Sequence, residues 1–192
     1  MARYGKEHKA ATRQRIVEAA GRRLKLDGID GSGVATLMND AGLTNGAFYA
    51  HFASKADLVA TAITDQLEAQ LAQLSALEPG RAGVEQFVRA YLSPEHRDDP
   101  GAGCPSAALL DELRRCDQRT RAAYSSGLAA MIDVIAAHVC PDDLASAHPR
   151  TFAAIASMIG TLQLSRVVTD PELADTLLTE GVDNALTLFF AD

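Results

Sequence analysis

The feature that most limits how this chain can fold lies between Val34 and Asp57. A short apolar-periodic segment, Val34 to Ala41, runs into Gly42 and then into a second segment that reaches Phe52. Leu37, Leu43 and Phe48 are spaced to close a small core with a preceding helix. Phe48 and Phe52 stand at i, i+4, so both face inward. A short helix, a tight turn with glycine and a second short helix make a helix-turn-helix arrangement. Ser54-Lys55-Ala56-Asp57 then reads as a capping box that opens the next helix.

Helical spacing continues in both directions, and no segment has a convincing strand pattern or internal repeat. A first helix is expected over about Ala11 to Asp27 on the stripe Ile16, Ala20 and Leu24, ended by Gly28. The helix opened by Ser54 is long, with Val59, Ile63, Leu67, Leu71 and Leu74 on one face and Glu78-Pro79-Gly80 as its stop. Further helices are expected over Ala82 to Leu92, from Pro105 through Leu113, and over Gln118 to Val139. Two apolar helices, about Arg150 to Val168 and Glu172 to Phe190, close the chain. Residues 93–103 read as a turn-rich loop.

Charge is unevenly placed. Residues 1–55 hold nine Lys or Arg against five Asp or Glu, a balance of +4, and the remainder carries −11. A basic head on an acidic body suggests an anionic partner for the head. No signal peptide is expected from the polar stretch MARYGKEHKAATRQR. The most membrane-like stretch, Thr151 to Ser165, is shorter than the roughly 18–20 residues a span needs, so it reads as a buried helix. Cys104, Cys116 and Cys140 form no CxxC pair and are expected as reduced thiols in a cytoplasm.

Three of the chain's ten Phe and Tyr residues, Phe48, Tyr49 and Phe52, fall within five positions, and no Asp or Glu occurs between Asp40 and Asp57. Two of the three close the small core. The opposite face presents Thr44, Asn45, Ala47, Tyr49 and His51, neutral donors, acceptors and small groups suited to base edges in a major groove. Acids there would be repelled by phosphates. Lys55 in the first turn of a helix opposes the macrodipole unless an anion sits there, so it is expected at a phosphate. Lys6, Lys9, Arg13 and Arg15 add to the basic fringe, whereas Arg22, Arg23 and Lys25 point in different directions and are expected on a solvated face.

Residues 10–60 resemble the DNA-binding domain of the TetR family of bacterial transcriptional regulators. The stretch GIDGSGVATLMNDAGLTNGAFYAHFASKADL carries the likeness through Gly28, Val34, Ala41-Gly42, Gly46, Tyr49, His51-Phe52 and Ser54-Lys55. Met38 and Asn39 depart from it. The resemblance implies an all-α chain of about nine helices, in keeping with the helical periodicity. Its helix-turn-helix domain would span residues 1–53 and its ligand-binding and dimerisation domain residues 54–192. It further implies a homodimer through the last two helices, reading a palindromic double-stranded DNA operator. The expected DNA-facing set is Ser32, Thr36, Thr44, Asn45, Ala47, Tyr49, His51 and Lys55.

The family's body holds a small-molecule pocket. Candidates here are Phe87, Tyr91, Cys104, Leu109, Tyr124, Met131, Phe152 and Met158, which point to an apolar or aromatic effector. The expected activity is repression relieved by that effector. Cys104, at a helix start, raises the alternative of a repressor that senses oxidants or electrophiles. A helical small-molecule-binding protein without DNA activity is a second alternative. No enzyme, cofactor, metal site or membrane partner is expected. GxSxG and HExxH are absent, and the histidines lack metal-ligand spacing to the cysteines.

Overall fold

The computed structural model describes residues 2–191, and the side chains of residues 7–191, so Lys6 lies outside the described side chains. Every regular element among them is helical. The α-helices are α1 (Ala2–Asp27), α2 (Val34–Asp40), α3 (Lys55–Ser75), α4 (Arg81–Tyr91), α5 (Pro94–Asp98), α6 (Pro105–Leu113), α7 (Gln118–Val139), α8 (Leu144–Val167) and α9 (Pro171–Phe190). A 3₁₀ helix, Asn45–Ala50, lies between α2 and α3.

The head closes as its spacing predicts. Ile16, Val17, Ala20 and Leu24 of α1 are buried with Leu37, Phe48 and Phe52. Met38 is also fully buried, so this departure from the family pattern serves the core. Gly42 turns the chain with φ 68°, a left-handed conformation that glycine adopts without strain. Ser54 caps α3 by accepting the Asp57 amide, and the Asp57 carboxylate accepts the Ala53 amide, completing the reciprocal box.

α3 packs on both α1 and α7, so it joins head to body. α8 and α9 form the most extensive helix pair and contact the rest through α7, α4, α5 and α6. An apolar face of α8 is left in solvent, with Phe152 60%, Leu164 58% and Val167 78% exposed.

Four expectations are corrected. α1 begins at Ala2, nine residues before its apolar stripe becomes readable. The second helix of the head's motif is 3₁₀ in form. The segment 93–103 holds α5, with Ser93 accepting the His96 amide and Pro94 at the first helical position. α8 starts at Leu144 under an Asp143 cap and carries Pro149 inside, where a boundary was expected. The helix with the length and composition of a membrane span among the described residues is α7, and it packs on α3, α4 and α8.

Candidate nucleic-acid interface and effector cavity

The 3₁₀ helix holds its buried side by ring packing. Phe48 stacks on Phe52 with centroids 5.8 Å apart, and the Arg13 guanidinium lies 4.6 Å over the Phe52 ring. That leaves Thr44, Asn45 and Tyr49 exposed, with Tyr49 at 78%, and Ala47 and His51 half-buried beside them. Thr36 on α2 is exposed as well. Ser32 is fully buried and its hydroxyl donates to the Gly28 carbonyl at 2.7 Å, a turn-closing role.

Cations border this face. Burial lowers the His51 pKa, and the nearby charges of Lys9 and Arg13 lower it further. The Nδ1 atom of His51 has no hydrogen-bond partner. The two acids that bound the acid-free window are both held by arginines. Asp40 receives Arg23 at 2.6 and 3.1 Å, and Asp57 receives Arg119 of α7 at 2.8 Å. Lys55 Nζ donates to the Ile29 carbonyl, tying the start of α3 to the turn before α2.

The body contains a cavity of about 410 Å³ between α3, α4, the 93–104 segment and α7. Of the residues expected around a ligand, Phe87, Tyr91, Cys104 and Met131 line it. Tyr124 is in hydrogen-bond contact with Ser106 at 2.9 Å and lies outside the lining. Leu109 and Met158 are fully buried in the core, and Phe152 lies on the exposed face of α8. Gln70, Gln73, Gln86 and His96 also line the cavity. Sequence reasoning missed them because polar residues beside an apolar stripe read as solvated.

His96 organises the wall. Its Nε2 accepts the Cys104 amide at 3.0 Å, so its Nδ1 carries the proton and donates to the Tyr91 carbonyl at 2.7 Å. Burial lowers its pKa, which keeps the ring neutral in this role. Cys104 is buried at 3% exposure, and its thiol donates to Gln70 Oε1 at 3.6 Å. Tyr91 Oη is sealed from solvent with no oxygen or nitrogen partner, and the Cys104 thiol lies within reach as a weak sulfur partner. Burial raises the Tyr91 pKa well above the ordinary value, so the group stays a neutral phenol.

Three side chains tie this wall and the adjoining α6 to the head. Arg22 of α1 grips Asp99 at 3.2 Å, and Lys25 Nζ donates to the Gly103 carbonyl at 2.6 Å. The Glu112 carboxylate of α6 accepts the Ile29 and Asp30 amides at 2.7 and 3.0 Å. Arg22 and Lys25 were expected on a solvated face, and they bind the body instead. The same segment is tied to the last two helices, since Arg166 of α8 donates to the carbonyls of His96 and Arg97 and Arg97 pairs with Asp175 of α9.

An exposed neutral face on a helix-turn-helix unit, bordered by cations and bonded to a hollow helical body, is the arrangement of a DNA-binding head joined to a ligand-sized cavity. Residues 16–62 match the model of bacterial regulatory proteins of the tetR family. That match covers the head, whose helix-turn-helix is of the TetR type.

Solved structures share the whole fold. The reduced form of Escherichia coli NemR superposes with TM-score 0.77 at 16% identity, covering 91% of this chain and 95% of that one. A TetR regulator from Chloroflexus aurantiacus gives 0.74 at 21% identity, with 94% and 95% covered. FadR from Bacillus subtilis in complex with stearoyl-CoA gives 0.63 at 14% identity, with 93% and 97% covered. No curated protein matches the chain in sequence.

Proposed function

We propose that this chain is a ligand-responsive repressor that binds a palindromic operator as a homodimer in the cytoplasm and releases it when a small molecule fills the body cavity. The observation that carries this reading is the direct bonding of one cavity wall, residues 99–104, to α1 of the head through Arg22 and Lys25. A molecule that displaces this wall acts on the orientation of the head without any intermediate element.

The division at residue 53 follows the roles. Residues 1–53 read DNA through Thr44, Asn45, Ala47 and Tyr49, with Thr36, His51 and Lys55 toward the backbone. Ser32 supports them from within. Residues 54–192 bind the effector and dimerise. The exposed apolar face of α8 supports pairing with a second copy, since a contiguous patch of this kind is uncommon on a lone subunit. Phe87, Tyr91, Cys104 and Met131 serve as ligand contacts. Burial of Cys104 and its bond to Gln70 support a wall role over that of a sensor thiol. The stearoyl-CoA of the FadR neighbour does not carry over, because that likeness is one of fold.

The test is fluorescence anisotropy of the purified chain on a palindromic fragment from its own upstream region at two salt concentrations. Specific, salt-sensitive binding of two subunits per site is expected. Absence of binding there and in a genome-wide DNA selection would overturn the regulator reading.

A further inference from the structure

The cavity, read above as the effector site, has a wall chemistry that selects by charge. Its volume of about 410 Å³ lies within the usual range for small-molecule sites. Leu74, Leu77, Phe87 and Met131 supply an apolar body. Gln70, Gln73 and Gln86 supply neutral amides, and Glu95 and Asp99 supply the only ionised groups among the described lining residues.

No cation is free to meet an anion there. Lys25, which donates to the Gly103 carbonyl, and Arg166, which donates to the carbonyls of His96, Arg97 and Ala107, both lie behind the wall and outside the described lining. His96 has both ring nitrogens engaged by the backbone. A carboxylate or phosphate entering this space loses its hydration and gains no counter-charge. A cation fares little better, because Asp99 is already paired with Arg22 and Glu95 is exposed and screened by water.

One group inside lacks a strong partner. The Tyr91 hydroxyl is shut off from solvent and has no oxygen or nitrogen to bond, only the weak Cys104 sulfur beside it. A buried donor of this kind is left unsatisfied unless something in the cavity accepts its proton. The amide of Gln70 already faces the same wall through its bond with Cys104.

We infer that the cavity takes an uncharged, largely apolar molecule whose single polar end accepts the Tyr91 hydroxyl proton, and that it rejects carboxylates, phosphates and ammonium ions. The aromatic pair Phe87 and Tyr91, edge-to-face at 5.8 Å, sets the wall along which the apolar part lies.

The test uses the full-length chain and four probes with one ring system: naphthalene, acetonaphthone, naphthoate and naphthylmethylammonium. Affinities are measured by calorimetry for the native chain and for Tyr91→Phe. Acetonaphthone is expected to bind at least about tenfold more tightly than either charged probe. Tyr91→Phe is expected to weaken acetonaphthone by about tenfold and leave naphthalene unchanged, as loss of one buried hydrogen bond predicts. The thermal midpoint of Tyr91→Phe without ligand should change little, since the lost hydroxyl had only a weak sulfur partner. Equal or tighter binding of naphthoate or the ammonium probe overturns the charge selection while the cavity stands as an effector site. An equal loss for naphthalene and acetonaphthone overturns the role of the hydroxyl. Failure of all four probes overturns both the ligand class and the cavity as the effector site, whereas operator binding is measured apart from them.

Discussion

Lys25 on α1 of the head is bonded to Gly103 in the cavity wall, with Nζ 2.6 Å from the carbonyl oxygen. Burial pushes the Lys25 pKa down to about 8 from 10.5, even with the Cys104 and Asp99 charges acting in the opposite direction. The protein therefore holds a largely desolvated ammonium between its two functional regions. Such a group is costly to place and easily disturbed, which fits the proposal that this contact breaks when a ligand enters.

Lys25→Met should uncouple the regions while keeping the length of the side chain. In the native chain, operator binding is expected to slow amide exchange in residues 101–108. In Lys25→Met that protection should fall at least severalfold, with the head still binding DNA. Equal protection in both proteins would mean that Arg22 and Glu112 carry the coupling without it.

The same lysine fixes a pH dependence. Its folded-state pKa is below its unfolded value, so between about pH 8 and 10.5 the unfolded chain binds the extra proton. Stability contributed by this group is present above the upper value and is lost as pH falls through the lower one. Lys25→Met should remove that increment of rising stability, measured as the difference between the two proteins' denaturation midpoints across this window. Parallel curves would show that Lys25 is not desolvated.

Much of the head was legible from the residues. The capping box at Ser54 and Asp57, the inward pair Phe48 and Phe52 and the exposed Tyr49 follow from spacing of three and four, and each is a local property. The cavity was legible only in its large apolar lining residues. Gln70 and Gln73 of α3, Gln86 of α4 and His96 of α5 come together from separate helices, and no local pattern marks a polar residue that faces inward across such a distance. Arg22 and Lys25 escaped for the same reason, because their partners lie 77 and 78 residues away in the chain. α5 was marked by Ser93-Pro94, a cap and first-turn pair that the surrounding turn-rich composition obscured.

Glu112 should prove a structural hinge point between body and head. Its carboxylate accepts two amides, and the adjoining Gly28, at φ 79°, leaves room for it, since a Cβ there would stand 2.4 Å from Oε1. Glu112→Ala leaves both amides without their acceptor and should lower stability by about 1–3 kcal/mol. Gly28→Ala should cost a further 1–2 kcal/mol or so from the left-handed backbone alone. Calorimetric or denaturant midpoints check both. A neutral Glu112→Ala would show that water replaces the carboxylate at no cost.

Lys55 has three donors, of which the Ile29 carbonyl takes one. The remaining two leave it able to hold a DNA phosphate without giving up its internal bond. Lys55→Ala should weaken binding to all DNA sequences and make the slope of log affinity against log salt shallower by about one. An unchanged slope with lower thermal stability would assign Lys55 to the turn alone. Asn45→Ala should instead change which operators are preferred in a randomised library, since an exposed amide at the head of the helix is proposed to read base edges.

In the proposed dimer, the face of α8 would decide whether the operator is read by one head or two. Leu164 and Phe152 are exposed and lie on one side of the helix with Gly160, where a Cβ would meet nothing within 4 Å. A partner helix approaches closely over such a small residue and buries the larger ones on either side. Leu164→Asp should therefore place a charge in the centre of the pairing surface, a substitution harmless on a solvated face. Sedimentation is expected to show dimers for the native chain and monomers for Leu164→Asp. The mutant's salt slope on a palindromic operator should fall to about half, since only one head's phosphate contacts remain. Circular dichroism and the thermal midpoint of the monomer keep this apart from misfolding. A mutant that stays dimeric would move the pairing surface off α8, and the exposed apolar residues there would need another occupant.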